Sequence, residues 1–181
     1  VFGIDSVNEF DVFLDDIYDY CETLDIGVDT LVHESGPSQI EINLNHGDPL
    51  KLADQTFMFK RAVRQVALKH GIHATFMAKP HQGQPGSSMH IHQNLISTSS
   101  GANIFSDADG KESDEFYQYI GGLQTYLPDA MVFFAPYVNS YRRFVIDASA
   151  PINTHWGFEN RTVGLRVPLS GPESKRVENR I

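Results

Sequence analysis

The chain has 181 residues, enough for one sizeable hydrophobic core, and its 41% hydrophobic and 20% charged residues are typical of a globular protein. Its 14 basic and 23 acidic residues give a net charge of −9, which argues against nucleic acid or an anionic membrane as a partner. The single cysteine, Cys21, excludes an internal disulfide framework and favours a reducing cytoplasm.

The first predicted elements are a helix and two strands. Ser6 and Glu9 form a capping-box pattern before an amphipathic apolar stripe, and Gly27 is expected to close this helix. Residues 28–34 and 39–44 then alternate in polarity on either side of "SGPS", which predicts two antiparallel strands joined by a short turn.

The middle of the chain predicts a second helix followed by two strands. Asp48 can cap this helix, Pro49 fits its first position, and Gly71 fits its carboxyl-terminal cap. We interpret "IHATFMAK" (72–79) and "GSSMHIHQ" (86–93) as strands.

The remaining pattern predicts a polar loop, a third helix and short strands. "DADGKE" in the loop lacks the spacing of a calcium loop and predicts a solvated turn. Ser113 caps the third helix, while Pro128 and Pro136 bracket a short apolar helical turn. "NSYRRF", "NRTVGLRVP" and "SKRVENRI" then alternate loop and strand. The order predicts an α+β fold, an antiparallel sheet with a polar active-site face and helices on the other face.

Two glutamates lie near the predicted hairpin turn. Glu34 ends the first strand and Glu41 lies in the second, so a hairpin can bring their carboxylates close together. Close carboxylates repel unless a cation lies between them. Two exposed surface glutamates are the alternative, which this stretch alone favours.

His90 and His92 lie two residues apart and therefore share one face of a strand. That face also carries Ser88 and Asn94 and is polar throughout, whereas the opposite face is mostly apolar. The pair is typical of a metal or phosphate contact, although it is not specific. A non-haem iron or cupin-type site is a rival interpretation, but residues 93–106 contain no Asp or Glu to complete it.

Basic residues concentrate near the end of this acidic chain. Eight of the 14 fall in the last 71 positions: Lys111, Arg142, Arg143, Arg161, Arg166, Lys175, Arg176 and Arg180. In "RVENR", Arg176, Glu178 and Arg180 share one strand face while Val177 faces the other way. Surface ion pairs are the alternative, but an Arg-Glu-Arg face suits a metal-bound phosphate better.

These residue types together indicate a reaction class. Carboxylates with a nitrogen ligand suit Mg²⁺ or Mn²⁺, and arginines with a divalent ion suit phosphoryl transfer from a nucleotide. The chain has neither a P-loop nor a protein-kinase glycine loop, so such a reaction requires another scaffold.

Five stretches of the chain resemble a known enzyme family. "HESGPSQIE", "PGSSMHIHQNL", "NSYRRF", "NRTVGLRVP" and "RVENR" occur in the order found in the glutamine synthetase superfamily, over essentially all 181 residues. The resemblance implies that residues 1–181 are the central part of a catalytic domain, without its N-terminal domain, first metal-ligand strand and C-terminal region. It also implies a cytoplasmic homo-oligomer with a double ring, and an isolated slice that is inactive.

The resemblance further implies ATP-dependent amide ligation with Mg²⁺ or Mn²⁺. The side-chain carboxylate of glutamate takes the γ-phosphoryl group of ATP, and an amine displaces the phosphate. The implied roles are metal ligation by Glu34, Glu41, His90 and Glu178, ATP or phosphate binding by His92, Arg166 and Arg176, substrate binding by Gly86 and Arg143, and catalysis at the phosphoryl and carboxylate groups by Arg161 and Arg180.

Departures from the family pattern bear on the acceptor. Ser149 in "IDASAP" stands where glutamine synthetases carry a glutamate that binds and deprotonates ammonium, and Pro85 and Ser88 replace an asparagine and a glycine. These features resemble the γ-glutamylpolyamine synthetase-like branch, which joins glutamate to a primary amine. An ammonia-using glutamine synthetase and a non-catalytic relative of the fold are the alternatives.

Overall fold

A computed structural model describes residues 8–146 and 150–181, and the chain divides into two compact units. The first unit is the chain up to Phe76 with Gln82–Gln84, and the second is Met77–His81 with Pro85–Ile181. Ser6, the predicted helix cap, and Ser149 lie outside the described residues. Within the described ranges, no helix is both long and apolar enough to cross a membrane.

The first unit packs two helices against a two-stranded antiparallel sheet. Its elements in chain order are α1 (Asp11–Thr23), β1 (Val28–His33), β2 (Ile40–Leu44) and α2 (Pro49–Lys69). The predicted apolar face of β2, which carries Ile40, Ile42 and Leu44, packs against the core formed by the two helices. The predicted hairpin is therefore confirmed, and its register pairs Val32 with Glu41.

The sequence pattern predicted the start of α2 correctly but not the end of α1. The Asp48 carboxylate accepts from the backbone N–H groups of Leu50 and Lys51, each at 3.0 Å, which confirms the cap of α2. Gly27, in contrast, does not close α1. The helix ends at Thr23, and Asp25 takes the left-handed turn with φ of +54°.

The second unit contains a four-stranded sheet covered by a long helix. Its elements are β3 (Ile91–Gln93), α3 (Asp114–Phe134), a 3₁₀ turn (Ser140–Arg143), β4 (Trp156–Phe158), β5 (Leu165–Val167), a second 3₁₀ turn (Pro172–Ser174) and β6 (Val177–Asn179). The strand order is β3-β6-β5-β4, antiparallel except for the parallel pair of β4 and β5. The α+β class is thus confirmed, with one parallel pair within the sheet.

The core of the second unit lies between α3 and one face of this sheet. Phe116, Ile120 and Leu127 of α3 are buried there with Leu165 of β5 and Val177 of β6. Because alternate strand residues face opposite sides, the residues next to Leu165 and Val177 point to the other face. The core thereby fixes which side chains of β5 and β6 can form a polar site.

Three predicted elements of the second half differ in the structure. Residues 72–79 do not form the predicted strand: the Ala78 carbonyl accepts from the Ser87 N–H at 2.9 Å, but no ladder with a described strand is present. "NSYRRF", within the stretch predicted to alternate loop and short strand, forms a 3₁₀ turn. The helix also continues through Pro128 to Phe134, since the packing of its apolar face on the core outweighs the missing backbone donor.

The predicted strand 86–93 is much shorter in the structure. Among the described residues, the part of this segment that lies in a strand ladder is Ile91–Gln93, which pairs with β6, and His90 still points to the same side as His92. "DADGKE" forms the predicted turn, in which the Asp107 carboxylate accepts from the N–H groups of Asp109 and Lys111.

Candidate active site

A buried glutamate, Glu178, lies at the middle of the polar face of the four-stranded sheet. It belongs to β6, which lies between β3 and β5. The register places it directly opposite His92 of β3 and Arg166 of β5. Its neighbour Val177 points into the core, so the strand period turns the carboxylate to the opposite face.

Four basic side chains surround the carboxylate of Glu178, whose side chain is only 3% exposed. Arg166 Nη1 lies 2.7 Å from Oε2, and Arg180 Nη1 lies 2.6 Å from Oε1. His90 Nδ1 and His92 Nε2 lie 3.2 and 4.0 Å from Oε1. Burial acts to raise the pKa of Glu178, but the hydrogen bond from Arg166 and the charge of Arg180 outweigh it and hold the pKa below its ordinary value. The carboxylate is therefore ionised at neutral pH.

His90 is held between Glu178 and Ser88. His90 Nδ1 lies 3.2 Å from Glu178 Oε1, and His90 Nε2 forms a 2.9 Å hydrogen bond with the Ser88 hydroxyl. Burial, together with the charge of Arg180, lowers the pKa of His90 to about 4. The imidazole is thus neutral at pH 7, the form that ligates metals. The hydrogen bond between Ser88 and His90 agrees with the prediction that both side chains lie on the same face of this segment.

His92 is oriented by an arginine. Arg176 Nε donates to His92 Nδ1 at 3.1 Å, and Arg176 Nη1 donates to the Ser174 carbonyl at 3.1 Å. The neutral imidazole of His92 therefore carries its proton on Nε2, where it is a donor on the polar face. Burial lowers the pKa of His92, which favours this neutral form.

Glu159 belongs to the cluster but was not predicted from the sequence. Its carboxylate oxygens accept from Arg166 Nη2 at 3.1 and 3.3 Å, and Oε1 also accepts from the Leu169 N–H. Glu159 lies in a loop and has a left-handed backbone, with φ of +48°. Strand or helix periodicity therefore does not predict the direction of its side chain. The only sequence signal is its charge, opposite to that of Arg166 seven positions later.

The two predicted substrate-binding residues, Gly86 and Arg143, are neighbours in the structure. A Cβ atom at Gly86 would lie 2.9 Å from Arg143 Cγ and 2.6 Å from the Ala78 carbonyl oxygen, so the position has no room for a side chain. The Asn139 carboxamide bridges both backbone groups of Lys79, with distances of 2.8 and 3.0 Å, and so ties the turn that carries Arg143 to the segment before Gly86.

Arg161, predicted to be catalytic, is exposed. Its charge helps to lower the pKa of Glu159, after the hydrogen bonds from Leu169 and Arg166. Within the described part of the chain, no hydrogen bond or ion pair joins Arg161 to Glu178. The structure therefore places Arg161 beside the cluster by its charge but not by a contact.

Glu34 and Glu41 lie in the first unit, at the β1–β2 hairpin. Glu34 N–H donates to the Gln39 carbonyl at 2.8 Å, which extends the hairpin and leaves Glu34 and Glu41 on the same face of the ladder. Both are partly buried rather than fully exposed. Their carboxylates accept from Ser35 N–H and from Asn43 Nδ2, each at 3.1 Å.

The second unit offers part of a donor set for a metal ion. Neutral His90 and ionised Glu178 have the chemistry that a divalent ion requires, but both Glu178 oxygens accept from arginines. Among the described residues, no group of three or more His, Cys, Asp or Glu side chains is arranged to hold an ion. His90 and Glu178 therefore have the right chemistry for a divalent ion, but an ion at Glu178 would compete with Arg166 and Arg180 for its carboxylate oxygens.

The arginines of the second unit have donors left over. Arg166 Nε and Arg180 Nε are buried, and neither has a hydrogen-bond partner among the described residues. An unpaired buried donor is costly and calls for an acceptor. Two such donors beside a saturated carboxylate fit an anionic ligand.

The chain is similar to a family of known proteins. The whole chain, residues 1–181, matches the family model described as glutamine synthetase, catalytic domain. It is 41% identical over its whole length to gamma-glutamylputrescine synthetase of Escherichia coli (strain K12), of which it covers 38%. It is 38% identical over 91% of its length to a glutamine synthetase of Pyrococcus horikoshii, of which it covers 37%.

A solved structure is also similar. The structure described as "Apo GmaS without ligand" superposes with a TM-score of 0.85 at 31% identity, over 99% of this chain and 41% of the other. The chain thus spans well under half the length of the relatives that it matches.

Proposed function

Because the chain belongs to the glutamine synthetase catalytic-domain family, we propose that it is the central part of the catalytic domain of an ATP-dependent glutamate–amine ligase. In the first step, a side-chain carboxylate oxygen of glutamate attacks the γ-phosphorus of ATP, and the bond to ADP breaks. In the second, the amine nitrogen attacks the acyl carbon and loses a proton. Inorganic phosphate then leaves with one oxygen of the former carboxylate.

The observation that carries this proposal is the excess of positive charge around Glu178. Apart from the exposed Arg161, the arginines of this site are Arg143, Arg166, Arg176 and Arg180, whereas Glu159 and Glu178 are its only carboxylates in the described second unit. The site therefore has two uncompensated positive charges within a protein of net charge −9. Such a site favours an anionic ligand such as nucleotide phosphate.

The contacts support distinct roles within this site. Arg176 fixes His92 so that Nε2–H remains free to donate to a phosphate oxygen. Arg166 and Arg180 have buried Nε donors that a phosphoryl oxygen can accept from. We assign Arg166, Arg176 and His92 to the nucleotide, and Arg180 with Arg161 to the transferring phosphoryl group.

Gly86 and Arg143 are assigned to the glutamate substrate. Arg143 provides a planar guanidinium that can bind the α-carboxylate through two hydrogen bonds. The absence of a side chain at Gly86 lets the backbone approach the aliphatic part of Arg143, as the 2.9 Å spacing requires. Any larger residue would push the arginine away from its position.

A divalent ion, Mg²⁺ or Mn²⁺, completes the proposal. When bound, it neutralises charge on phosphate oxygens and so favours attack by an anionic carboxylate. The family resemblance implies two such ions: Glu34 and Glu41 of the first unit would hold one, and His90 and Glu178 of the second unit would hold the other. Exclusion of water by the same site would protect the acyl phosphate from hydrolysis.

We infer a primary amine rather than ammonia as the acceptor. Ser149 replaces a carboxylate that would bind ammonium, and the 41% identity to an enzyme named for putrescine supports this inference. The 38% identity to a glutamine synthetase makes ammonia the second candidate. The family resemblance also supports a cytoplasmic homo-oligomer.

The test is phosphate release by the full-length protein that contains this chain. ATP, Mg²⁺ and glutamate are supplied with ammonium, putrescine, spermidine or ethanolamine in separate reactions. We expect release with at least one amine and little with ammonium. A Ser149→Glu variant is the matched comparison, and we expect it to gain ammonium-dependent release.

Two results would contradict parts of the proposal. Release with ammonium alone would overturn the acceptor inference and favour a glutamine synthetase. The absence of glutamate-dependent release with any acceptor, in a protein that is folded by circular dichroism, would favour a non-catalytic relative.

A further inference from the structure

A buried lysine two residues before β6 is paired with a distant loop. Lys175 is 8% exposed, and its Nζ lies 2.5 Å from Glu112 Oε1. Glu112 belongs to the turn that precedes α3, 63 residues earlier in the chain. Neither residue has a role in the proposed reaction.

Two further contacts join the same two segments. The Asn103 side chain is buried, and its Nδ2 donates to the Lys175 carbonyl at 2.8 Å and to the Glu173 carbonyl at 3.2 Å. Its Oδ1 accepts from the Phe105 N–H at 3.0 Å, which fixes the orientation of the carboxamide. A Cβ atom at Gly110 would lie only 3.0 Å from Pro172 Cγ, so the turn touches the second segment at a third point.

These contacts end one residue before the proposed nucleotide contact. Arg176 follows Lys175 directly, donates to His92, and returns a hydrogen bond to the Ser174 carbonyl. Asn103 therefore holds the backbone carbonyls of Glu173 and Lys175, Glu112 holds the Lys175 side chain, and Arg176 follows directly in the chain. A shift in this backbone would move the Arg176 guanidinium and the orientation of His92 together.

We propose that Asn103, Glu112 and Lys175 form a positioning brace that holds Arg176 and His92 in the geometry for nucleotide phosphate. The inference rests on the proposed function, because it assigns the brace to ATP binding. The brace residues do not touch the reacting atoms; they act through Arg176. A displacement of about 1 Å in a positioned group can lower the reaction rate up to about 100-fold. We therefore expect loss of the brace to have a measurable effect on ATP affinity as well.

The test measures ATP affinity by isothermal titration calorimetry and steady-state constants in the full-length protein. Glu112→Gln removes the charge, and Glu112→Asp keeps it but shortens the side chain by one methylene. We expect Glu112→Gln to raise the Kd and KM for ATP about tenfold, while the KM for glutamate changes less than about twofold. Glu112→Asp is expected to fall between the wild type and Glu112→Gln.

A double-mutant cycle separates the brace from a general loss of stability. If Glu112 and Lys175 act as one unit, Glu112→Gln with Lys175→Met raises the Kd for ATP no more than the worse single variant. Asp25→Asn is the control, because it breaks the 2.9 Å Lys51–Asp25 bridge in the other unit. We expect it to leave the Kd for ATP unchanged.

The experiment distinguishes an error in the brace proposal from an error in the proposed function. A wild-type protein that binds no ATP would overturn both. A wild type that binds ATP, with an unchanged Kd in folded Glu112→Gln and Glu112→Asp variants, would overturn the brace alone. Equal increases in the KM for ATP and for glutamate would also overturn it, because they indicate a global structural effect.

Discussion

Glu178→Gln tests the electrostatic role of the buried carboxylate. Its oxygens lie 2.7 and 2.6 Å from Arg166 and Arg180, and its side chain is 3% exposed. Removing one partner of a buried ion pair costs about 3–5 kcal/mol, and the remaining amide oxygen can accept from only part of the cluster. We therefore expect the free energy of unfolding to fall by about 3 kcal/mol.

Urea unfolding followed by the fluorescence of Trp156 measures this loss. Trp156 is the only tryptophan of the chain and lies in β4 of the same sheet. Glu159→Gln is the matched control, since it contacts the same Arg166 through a largely exposed carboxylate. We expect this control to change the unfolding midpoint little, because exposed ion pairs contribute little. A Glu178→Gln variant as stable as the control would refute the reasoning.

Two further predictions concern the residues around the site. Ser88→Ala removes the 2.9 Å contact to His90 Nε2 and should weaken Mn²⁺ binding about tenfold, measured by electron paramagnetic resonance of free Mn²⁺; equal affinity would show that the hydroxyl does not orient the imidazole. The hydrogen bond from Lys175 lowers the pKa of Glu112 below 4.5, so the pair stabilises the protein above about pH 4.5 and loses this contribution as pH falls through the lowered pKa. Thermal midpoints between about pH 5 and pH 3 should therefore fall more steeply in the wild type than in Glu112→Gln, and parallel curves would contradict the assignment.

The parts of the site that follow strand period were predictable from the sequence. Glu178 and Arg180 were placed on one face from a period of two, with Val177 on the other, and the structure has this arrangement. Period two also placed His90 beside His92, although the ladder is only three residues long there. A local pattern suffices because alternate side chains point to one side in any extended segment.

Other features depend on tertiary contacts that the local pattern does not contain. Residues 72–79 have a strand-like composition, but a strand also needs a continuous hydrogen-bonded ladder, and the described strands form none with this segment. Pro128 predicted the end of a helix, whereas packing of Leu127 against the sheet keeps the helix intact. Glu159 was missed because its position depends on a left-handed loop residue and on an arginine of the next strand.

The central claim is that glutamate is activated by phosphorylation of its side-chain carboxylate, and oxygen transfer tests it most directly. Glutamate labelled with ¹⁸O in both side-chain carboxylate oxygens is incubated with ATP, Mg²⁺ and the accepting amine in the full-length protein. Mass spectrometry of the products should find one ¹⁸O in each inorganic phosphate and the other in the γ-glutamyl amide. Amide formed with unlabelled phosphate, or with the label in AMP, would contradict the account.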